Sequence, residues 1–244
     1  ALLSVSRAHQ LFSVVTEYRM GCFAEVSPGV RCRKVLSRCD VELILRVAPP
    51  PRGRETRVRW QLENLGVPDI VADYRCQFCH QEGGCVRREY LARVGPLLMV
   101  QLGIYDFGTR RKLPNIRIHA DERLTVRVGD MACEYELVAA VEHLGYSLAG
   151  GHYVCYRRDA GGSWLVLNDD GARNKPRNVE PRHGDRLSSE EFGRRQMYLC
   201  MYSRCEAGQD VPAAVAGKHD RAPECAGQLA SETIDVDAAE VEDE

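Results

Sequence analysis

The chain has 244 residues, of which 44% are apolar and 28% charged, and its formal net charge is −2. This length can bury one good core, and the composition is that of an ordinary globular protein rather than a disordered or fibrous one. No apolar run approaches the roughly 20 residues of a membrane span, so neither a spanning segment nor a membrane partner is expected.

The predicted elements, taken in chain order, form an α+β mixture dominated by antiparallel strands. Residues 7–18 suit a helix, the Pro and Gly cluster of 48–55 requires a loop, and 188–195 suit a second helix with Ser188 as its N-cap. Short runs rich in Val, Leu and Tyr predict strands, namely 41–47, 96–105, 133–145, 152–158, 163–169 and 196–204. The last five of these strands are expected to share one antiparallel sheet.

The end of the chain differs in composition from the rest. From Glu206 to Glu244 there are 11 acidic residues, 2 basic ones and no aromatic one. Such a segment cannot bury enough apolar surface to order itself, so residues 205–244 are expected to be a disordered acidic tail. The beginning of the chain lacks an initiator methionine and the plan of a signal peptide, which indicates a fragment or a processed chain, and we favour a fragment of a longer protein.

One predicted hairpin brings together three polar side chains. If 152–158 and 163–169 pair, closed by the turn DAGG, their far ends lie side by side. His152, at the start of one strand, then lies near Asn168 and Asp169 at the end of the other. An imidazole oriented by an Asn or Asp is the second half of a Cys-His-Asn/Asp arrangement, in which the partner fixes the tautomer of the ring.

The surroundings of His152 also suit a peptide substrate. Gly150 and Gly151 would leave the approach to the histidine narrow and free of side chains, as a site that threads an extended peptide requires. From spacing alone, a hairpin histidine beside a surface Asp turn remains the plain alternative. Alternation along the strand puts Asn168 and Asp169 on opposite faces, so only one of them is expected to face the histidine.

Five features in this region resemble the histidine box and closing strand of the ubiquitin-specific proteases, which are papain-like cysteine proteases that remove ubiquitin. In family order and spacing they are Tyr135-Glu136-Leu137, His143-Leu144-Gly145, Gly151-His152-Tyr153, Trp164 four residues before Asn168, and Tyr198 to Tyr202. The resemblance covers residues 20–204. It implies fingers over about 22–95 and a palm over about 96–204, preceded by a partial helical segment, 1–19, with the family's thumb missing.

The resemblance also implies roles for the hairpin residues. His152 would be the general base, Asn168 the residue that orients it, and Asp169 a supporting acid. Gly150, Gly151 and Tyr153 would contact the substrate, while His143 would be structural. Ubiquitin and ubiquitinated proteins are the implied partners, with no nucleic acid, no membrane and no cofactor for catalysis.

A zinc site is a further expectation from the resemblance, which places a CxxC pair in the fingers. Cys76 and Cys79 match that pair, but the family's other pair looks broken, since VRCRKV keeps Cys32 and has Val35 where a second Cys belongs. Four thiolates make a closed structural zinc site and three leave it open. The open alternative is a metal-free finger with a relic pair. The fourth ligand could come from Cys39, His80 or Cys85.

The nucleophile of the family has no match in this chain. The family's thiol lies in a Gly-Asn-Thr-Cys run near the start of its domain, and no such run occurs here. The other cysteines lie in the predicted fingers, in predicted strands or near the tail: Cys22, Cys32, Cys133, Cys155, Cys200, Cys205 and Cys225. We therefore expect the nucleophile to lie outside these residues, and the eleven scattered cysteines to be reduced thiols of an intracellular protein of the cytoplasm or nucleus.

Two other functions stay open at this point. An inactive, ubiquitin-binding relative of the proteases would also lack the thiol. A zinc-ribbon nucleic-acid binder is suggested by Cys76 and Cys79 and by the net charge of +7 over residues 1–205. It is disfavoured because the basic residues alternate with acidic ones and are not interleaved with aromatic ones.

Overall fold

The computed structural model describes residues 6–49, 55–106, 108–169 and 181–205. Two sheets dominate these ranges, with three short helices beside them. In chain order the elements are α1 (Arg7–Phe12), β1 (Val14–Cys22), β2 (Glu25–Ser27), β3 (Val30–Arg31), β4 (Val35–Glu42), β5 (Leu45–Val47), β6 (Glu55–Arg57), α2 (Val58–Glu63), β7 (Asp69–Val71), β8 (Cys85–Val94), β9 (Leu97–Leu102), β10 (Tyr105–Asp106), β11 (Arg111–Lys112), β12 (Arg117–His119), β13 (Arg123–Val128), β14 (Met131–Ser147), β15 (Gly150–Arg158), β16 (Trp164–Leu167), β17 (Arg186–Leu187), α3 (Ser189–Gly193) and β18 (Met197–Arg204).

The larger sheet contains the five strands that the sequence analysis grouped together. Its order is β17-β16-β15-β14-β18-β9-β5, with β10, β11 and β13 attached beside it. The strands β9, β14, β15, β16 and β18 pair with one another in antiparallel fashion, which confirms the prediction. The short edge strand β5 pairs with β9 in parallel.

Side-chain alternation explains why these segments form strands and where the core lies. In β9, Leu98, Val100 and Leu102 are buried while the residues between them are half-buried, as expected for a strand that packs mainly one face. Behind the β15–β16 hairpin, Trp164 stacks on Phe192 of α3 with ring centroids 3.9 Å apart. The predicted N-cap of α3 is confirmed, because Ser188 and Glu191 form a reciprocal capping box.

The smaller sheet extends from the core to a cluster of cysteines. It is antiparallel with the order β4-β1-β8-β7. At its base, Val14 and Val94 belong to the main core, whereas Cys22 and Cys85 at the other end belong to a separate buried cluster. Since strands rise about 3.3 Å per residue, β1 separates the two clusters by roughly 26 Å.

Two element predictions need correction. The helix predicted over 7–18 ends at Phe12, because Ser13 is extended and the β-branched run that follows it pairs as β1. Residues 14–19 therefore belong to the smaller sheet rather than to a helical segment. The single strand predicted over 41–47 is also wrong, since a bend at 43–44 ends β4 in the small sheet and starts β5 in the large one.

Other predictions fall partly or wholly outside the described residues. Of the loop predicted over 48–55, residues 50–54 are not described, and Glu55 begins β6. The predicted acidic tail beyond Cys205, which includes Cys225, lies outside them entirely. Within the described part of the chain, none of the helices is both long enough and apolar enough to cross a bilayer.

Candidate active site and metal centre

The β15–β16 hairpin forms as predicted and brings the two polar ends together. Cys155 pairs with Leu167 and Arg158 with Trp164, so His152 and Asn168 lie at the same open end. The turn is fixed by the Asp159 carboxylate, which accepts hydrogen bonds from the backbone amides of Gly161 and Ser163. The site is thus placed by strand pairing at one end of the hairpin and by an Asx-type turn at the other.

The contact predicted between His152 and Asn168 is present. The Nε2 atom of His152 lies 2.7 Å from Oδ1 of Asn168 and 3.8 Å from Oδ1 of Asp169. The side chain of His152 is only 19% exposed, whereas that of Asp169 is 94% exposed. Asn168 is therefore the closer partner of His152, and it is less exposed than Asp169. The carboxylate of Asp169 lies beside the pair at ion-pair distance.

The expectation that only one of these two side chains could face His152 is wrong. It assumed that strand alternation continues through 169, but β16 ends at Leu167. Asn168 and Asp169 follow the last paired residue, so their side chains are no longer forced to opposite faces.

The hydrogen bonds of Asn168 determine which tautomer His152 adopts. Its Nδ2 donates to the carbonyl oxygen of Pro181 at 2.9 Å, and a carbonyl can only accept. The amide oxygen must therefore face His152, so Nε2 of the ring carries the hydrogen and donates it. In the neutral ring this leaves Nδ1 with a free lone pair, which is the atom able to take a proton from a nucleophile.

Gly151 has a packing role that the sequence analysis did not foresee. Its φ is +151°, and a Cβ at this position would overlap the ring of His143. Gly150, by contrast, has open space where a Cβ would lie. Of these two positions, only Gly151 is one where the packing itself requires glycine.

His143 is a buried packing residue next to the site. Its ring is hydrogen-bonded through Nδ1 to the hydroxyl of Tyr105, and Lys112 donates to its backbone carbonyl at 3.0 Å. Burial, with a smaller contribution from the charge of Lys112, lowers the pKa of His143. The ring of Tyr153 tilts against His143 at 4.6 Å between centroids and is half-exposed, so it is available to a ligand beside His152.

Four cysteines meet at the far end of the small sheet. The sulfurs of Cys22, Cys32, Cys76 and Cys79 all lie within 4.8 Å of one another. Cys22 and Cys79 are 3.8 Å apart, and Cys32 and Cys76 are 3.9 Å apart. A zinc ion bound tetrahedrally at about 2.3 Å from each sulfur requires sulfur separations of about 3.8 Å, so this donor set fits zinc.

The fourth member of this cluster differs from every alternative that the sequence suggested. Cys22 occupies that place, not Cys39, His80 or Cys85. Two backbone hydrogen bonds bring Cys22 close to Cys32. The amide of Cys22 donates to the carbonyl of Lys34, and the amide of Cys32 donates to the carbonyl of Ala24. The two cysteines flank the β2–β3 hairpin, whose turn is Pro28-Gly29. A cysteine on each side of a Pro-Gly turn was the signal for Cys22 that the sequence offered.

The rejected alternatives have identifiable positions. Cys85 is fully buried and pairs with Cys22 across β1 and β8, beside the four sulfurs but not among them. Cys39 lies in the middle of β4 opposite Glu17. Within the four-cysteine cluster, burial raises the pKa of Cys76, but hydrogen bonds from the amides of Cys79 and Phe78 outweigh this and lower it to about 7.

Comparison with known proteins identifies the family. The family model "Ubiquitin carboxyl-terminal hydrolase" matches residues 9–202. The chain belongs to this family. Ubiquitin carboxyl-terminal hydrolase 10 of Saccharomyces cerevisiae is 26% identical over 102 residues, which are 40% of this chain and 13% of that protein.

Solved structures confirm the papain-like fold of a ubiquitin-specific protease domain. The SAGA DUB module of Ubp8, Sgf11, Sus1 and Sgf73 bound to monoubiquitin matches with a TM-score of 0.62 at 20% identity, over 82% of this chain and 42% of that chain. A yeast SAGA module with a mutant Sgf73 matches with 0.64 at 19% identity, over 85% and 44%. The chain spans less than half the length of these relatives.

Three of the described cysteines lie in packed positions. Cys200 is fully buried, and burial raises its pKa to about 12. Cys155 is in the same strand as His152, but its sulfur faces the carbonyl of Tyr156 at 3.9 Å, and burial raises its pKa. Cys22 is in the finger cluster.

Proposed function

We propose that the chain supplies the general base of a cysteine-type deubiquitinase that cleaves the bond after the C-terminal glycine of ubiquitin. The observation that carries this proposal is the 2.7 Å contact between Nε2 of His152 and Oδ1 of Asn168, within a domain of the ubiquitin carboxyl-terminal hydrolase family. The nucleophilic thiol comes from a part of the longer protein outside these 244 residues.

The chemistry follows from the tautomer of His152. Its free Nδ1 takes the proton of the incoming thiol, and the thiolate attacks the carbonyl carbon of the scissile bond. The resulting imidazolium is stabilised by Asn168 and by the carboxylate of Asp169 at 3.8 Å. The same nitrogen then returns the proton to the leaving amine, as in other histidine-assisted acyl transfers.

Ubiquitin is the proposed partner. A structural neighbour is described as bound to monoubiquitin and another as bound to ubiquitin aldehyde. In this chain, the half-exposed ring of Tyr153 and the side-chain-free surface of Gly150 and Gly151 border His152, and we assign them to the extended end of the substrate. No cofactor is required for the reaction, and an intracellular location remains a prediction.

The finger cysteines are proposed to bind a structural zinc ion. Four thiolates close its coordination sphere, which leaves no position for a substrate or a water molecule. The cluster is also separated from the core end of β1 by roughly 26 Å. The metal would therefore stabilise the tip of the small sheet and take no part in the reaction at His152.

The test uses a ubiquitin-amide reporter with two proteins, the 244-residue chain and a longer protein that includes the upstream thiol. We expect no turnover by the chain alone, turnover by the longer protein, and its loss in the His152→Ala variant. Turnover by the chain alone would show that the nucleophile lies within it. An active His152→Ala variant of the longer protein would refute the role of the histidine.

A second candidate is an inactive ubiquitin-binding module, which the placement of the described cysteines also fits. The two candidate functions predict different results only for the longer protein. Calorimetric titration of the chain with ubiquitin is expected to show binding under both proposals, whereas turnover by the longer protein occurs only under the first.

A further inference from the structure

A turn beside β16 packs against the open end of the β15–β16 hairpin. It comprises residues 181–185, with the sequence PRHGD. The amide of Gly184 donates to the carbonyl of Val166 at 2.9 Å, and the amide of Val166 donates to the carbonyl of Asp185 at 2.9 Å. The Asp185 carboxylate accepts from the amide of Arg182 at 2.8 Å, so the turn is closed on itself and attached to the strand.

This turn supplies two partners to Asn168. The carbonyl of Pro181 accepts from the side-chain Nδ2 at 2.9 Å, and Nδ1 of His183 lies 3.3 Å from the backbone nitrogen of Asn168. The first contact fixes which end of the amide faces His152. The second holds the backbone of Asn168 at a point where the β16 ladder has already ended at Leu167.

We propose that His183 is a positioning residue for Asn168, acting through the backbone amide so that Oδ1 stays within hydrogen-bonding distance of His152. The inference rests on the proposed function, in which that contact orients the base. To accept from the backbone amide, Nδ1 of His183 must be unprotonated, so the ring is neutral with its hydrogen on Nε2. The hydrogen bond restrains the backbone of Asn168 just beyond the end of β16, and rotation of Asn168 would move Oδ1 away from the ring.

Imidazole NMR on the 244-residue chain tests this without any need for turnover. With histidines labelled with nitrogen-15, the spectra report which nitrogen of the neutral His152 ring carries hydrogen. The wild type is expected to hold it on Nε2. Loss of one orienting hydrogen bond in His183→Ala is expected to lower the ratio of the Nε2–H to the Nδ1–H form of His152 by about three- to tenfold.

Three further variants make the result specific. Asn168→Ala gives the shift that follows when the partner is removed completely. His183→Asn places an amide oxygen near the position of Nδ1 and is expected to restore the wild-type ratio. His9→Ala removes another exposed histidine far along the chain, next to Ser6, and is expected to change nothing at His152.

The outcomes separate this inference from the proposed function. A shift in His183→Ala in the direction of Asn168→Ala, with rescue by His183→Asn, supports it. An unchanged His152 ratio in His183→Ala, while Asn168→Ala still shifts it, overturns the inference and leaves the catalytic pair intact. If Asn168→Ala also has no effect, the pair itself does not exist in solution and the proposed function loses its main support.

Discussion

Replacing Cys22 with serine tests the metal centre most sharply, because the sequence did not predict this residue as a ligand. The sulfur of Cys22 lies 3.8 Å from that of Cys79 and belongs to a set of four within 4.8 Å. Structural zinc in small thiolate sites contributes about 10–16 kcal/mol. If each of four sulfurs supplies a similar share, Cys22→Ser costs about 3–4 kcal/mol, a fall in zinc affinity of about two to three orders of magnitude.

The assay is competition for zinc between the purified chain and a chromophoric chelator, with the metal content of the protein measured beside it. Cys39→Ser is the matched control, since Cys39 lies in β4 opposite Glu17 and outside the cluster. It is expected to keep one zinc ion with wild-type affinity. Full zinc binding by Cys22→Ser with loss in Cys39→Ser or Cys85→Ser would refute the assigned ligand set, and a chain without zinc would refute the site.

Three further predictions concern stability. Gly151→Ala should lower the free energy of unfolding in urea by about 1–3 kcal/mol, because the backbone there is strained for any other residue and the ring of His143 occupies the space of a Cβ. Gly150→Ala, where a Cβ would lie in open space, should have much less effect. Equal losses in the two variants would contradict the packing argument. Ser188→Ala should cost about 1 kcal/mol by removing the α3 cap, and Ser189→Ala much less, as the same urea curves would show. Burial lowers the pKa of His143, so the unfolded state binds more protons than the folded state, and the free energy of unfolding should fall as pH drops below the ordinary histidine pKa of about 6.5. His143→Gln should flatten this dependence between pH 8 and 5. An unchanged slope would refute the role of His143.

Much of the palm could be predicted from the sequence because its information is local. Alternating apolar residues and Gly- or Asp-bounded ends mark β9, β15 and β16, and a four-residue turn fixes which strands pair. Once the hairpin is paired, His152 and Asn168 must lie at the same end of it. The site therefore depended on two strands and one turn, all within 17 residues.

The remainder depended mainly on contacts between segments that are distant in the chain. Cys22 reaches Cys32 through backbone hydrogen bonds around a hairpin, and it contacts Cys79 from 57 residues away. Sequence spacing therefore suggested ligands that lie closer in the chain to Cys32 or to Cys79. The strand that begins at Val14 is fixed by partners on both sides, β4 and β8, which overrode its helix-like start. The contact of His183 with Asn168 spans 15 residues, and the turn residues of PRHGD mark a turn without indicating that it lies beside Asn168.

A double-mutant cycle on the longer protein tests the central claim, that His152 and Asn168 act as one unit. The measurement is kcat/KM for a ubiquitin-amide reporter in the wild type, His152→Ala, Asn168→Ala and the double variant. General-base catalysis is worth about 10²–10⁴-fold, so His152→Ala should lose at least that, and Asn168→Ala a smaller factor.

The decisive value is the effect of Asn168→Ala in the His152→Ala background. Residues that act as a unit are strongly non-additive, so the account predicts that the second substitution has almost no further effect once the histidine is gone. Factors that simply multiply would contradict it, because Asn168 would then contribute to the reaction independently of the ring that it contacts.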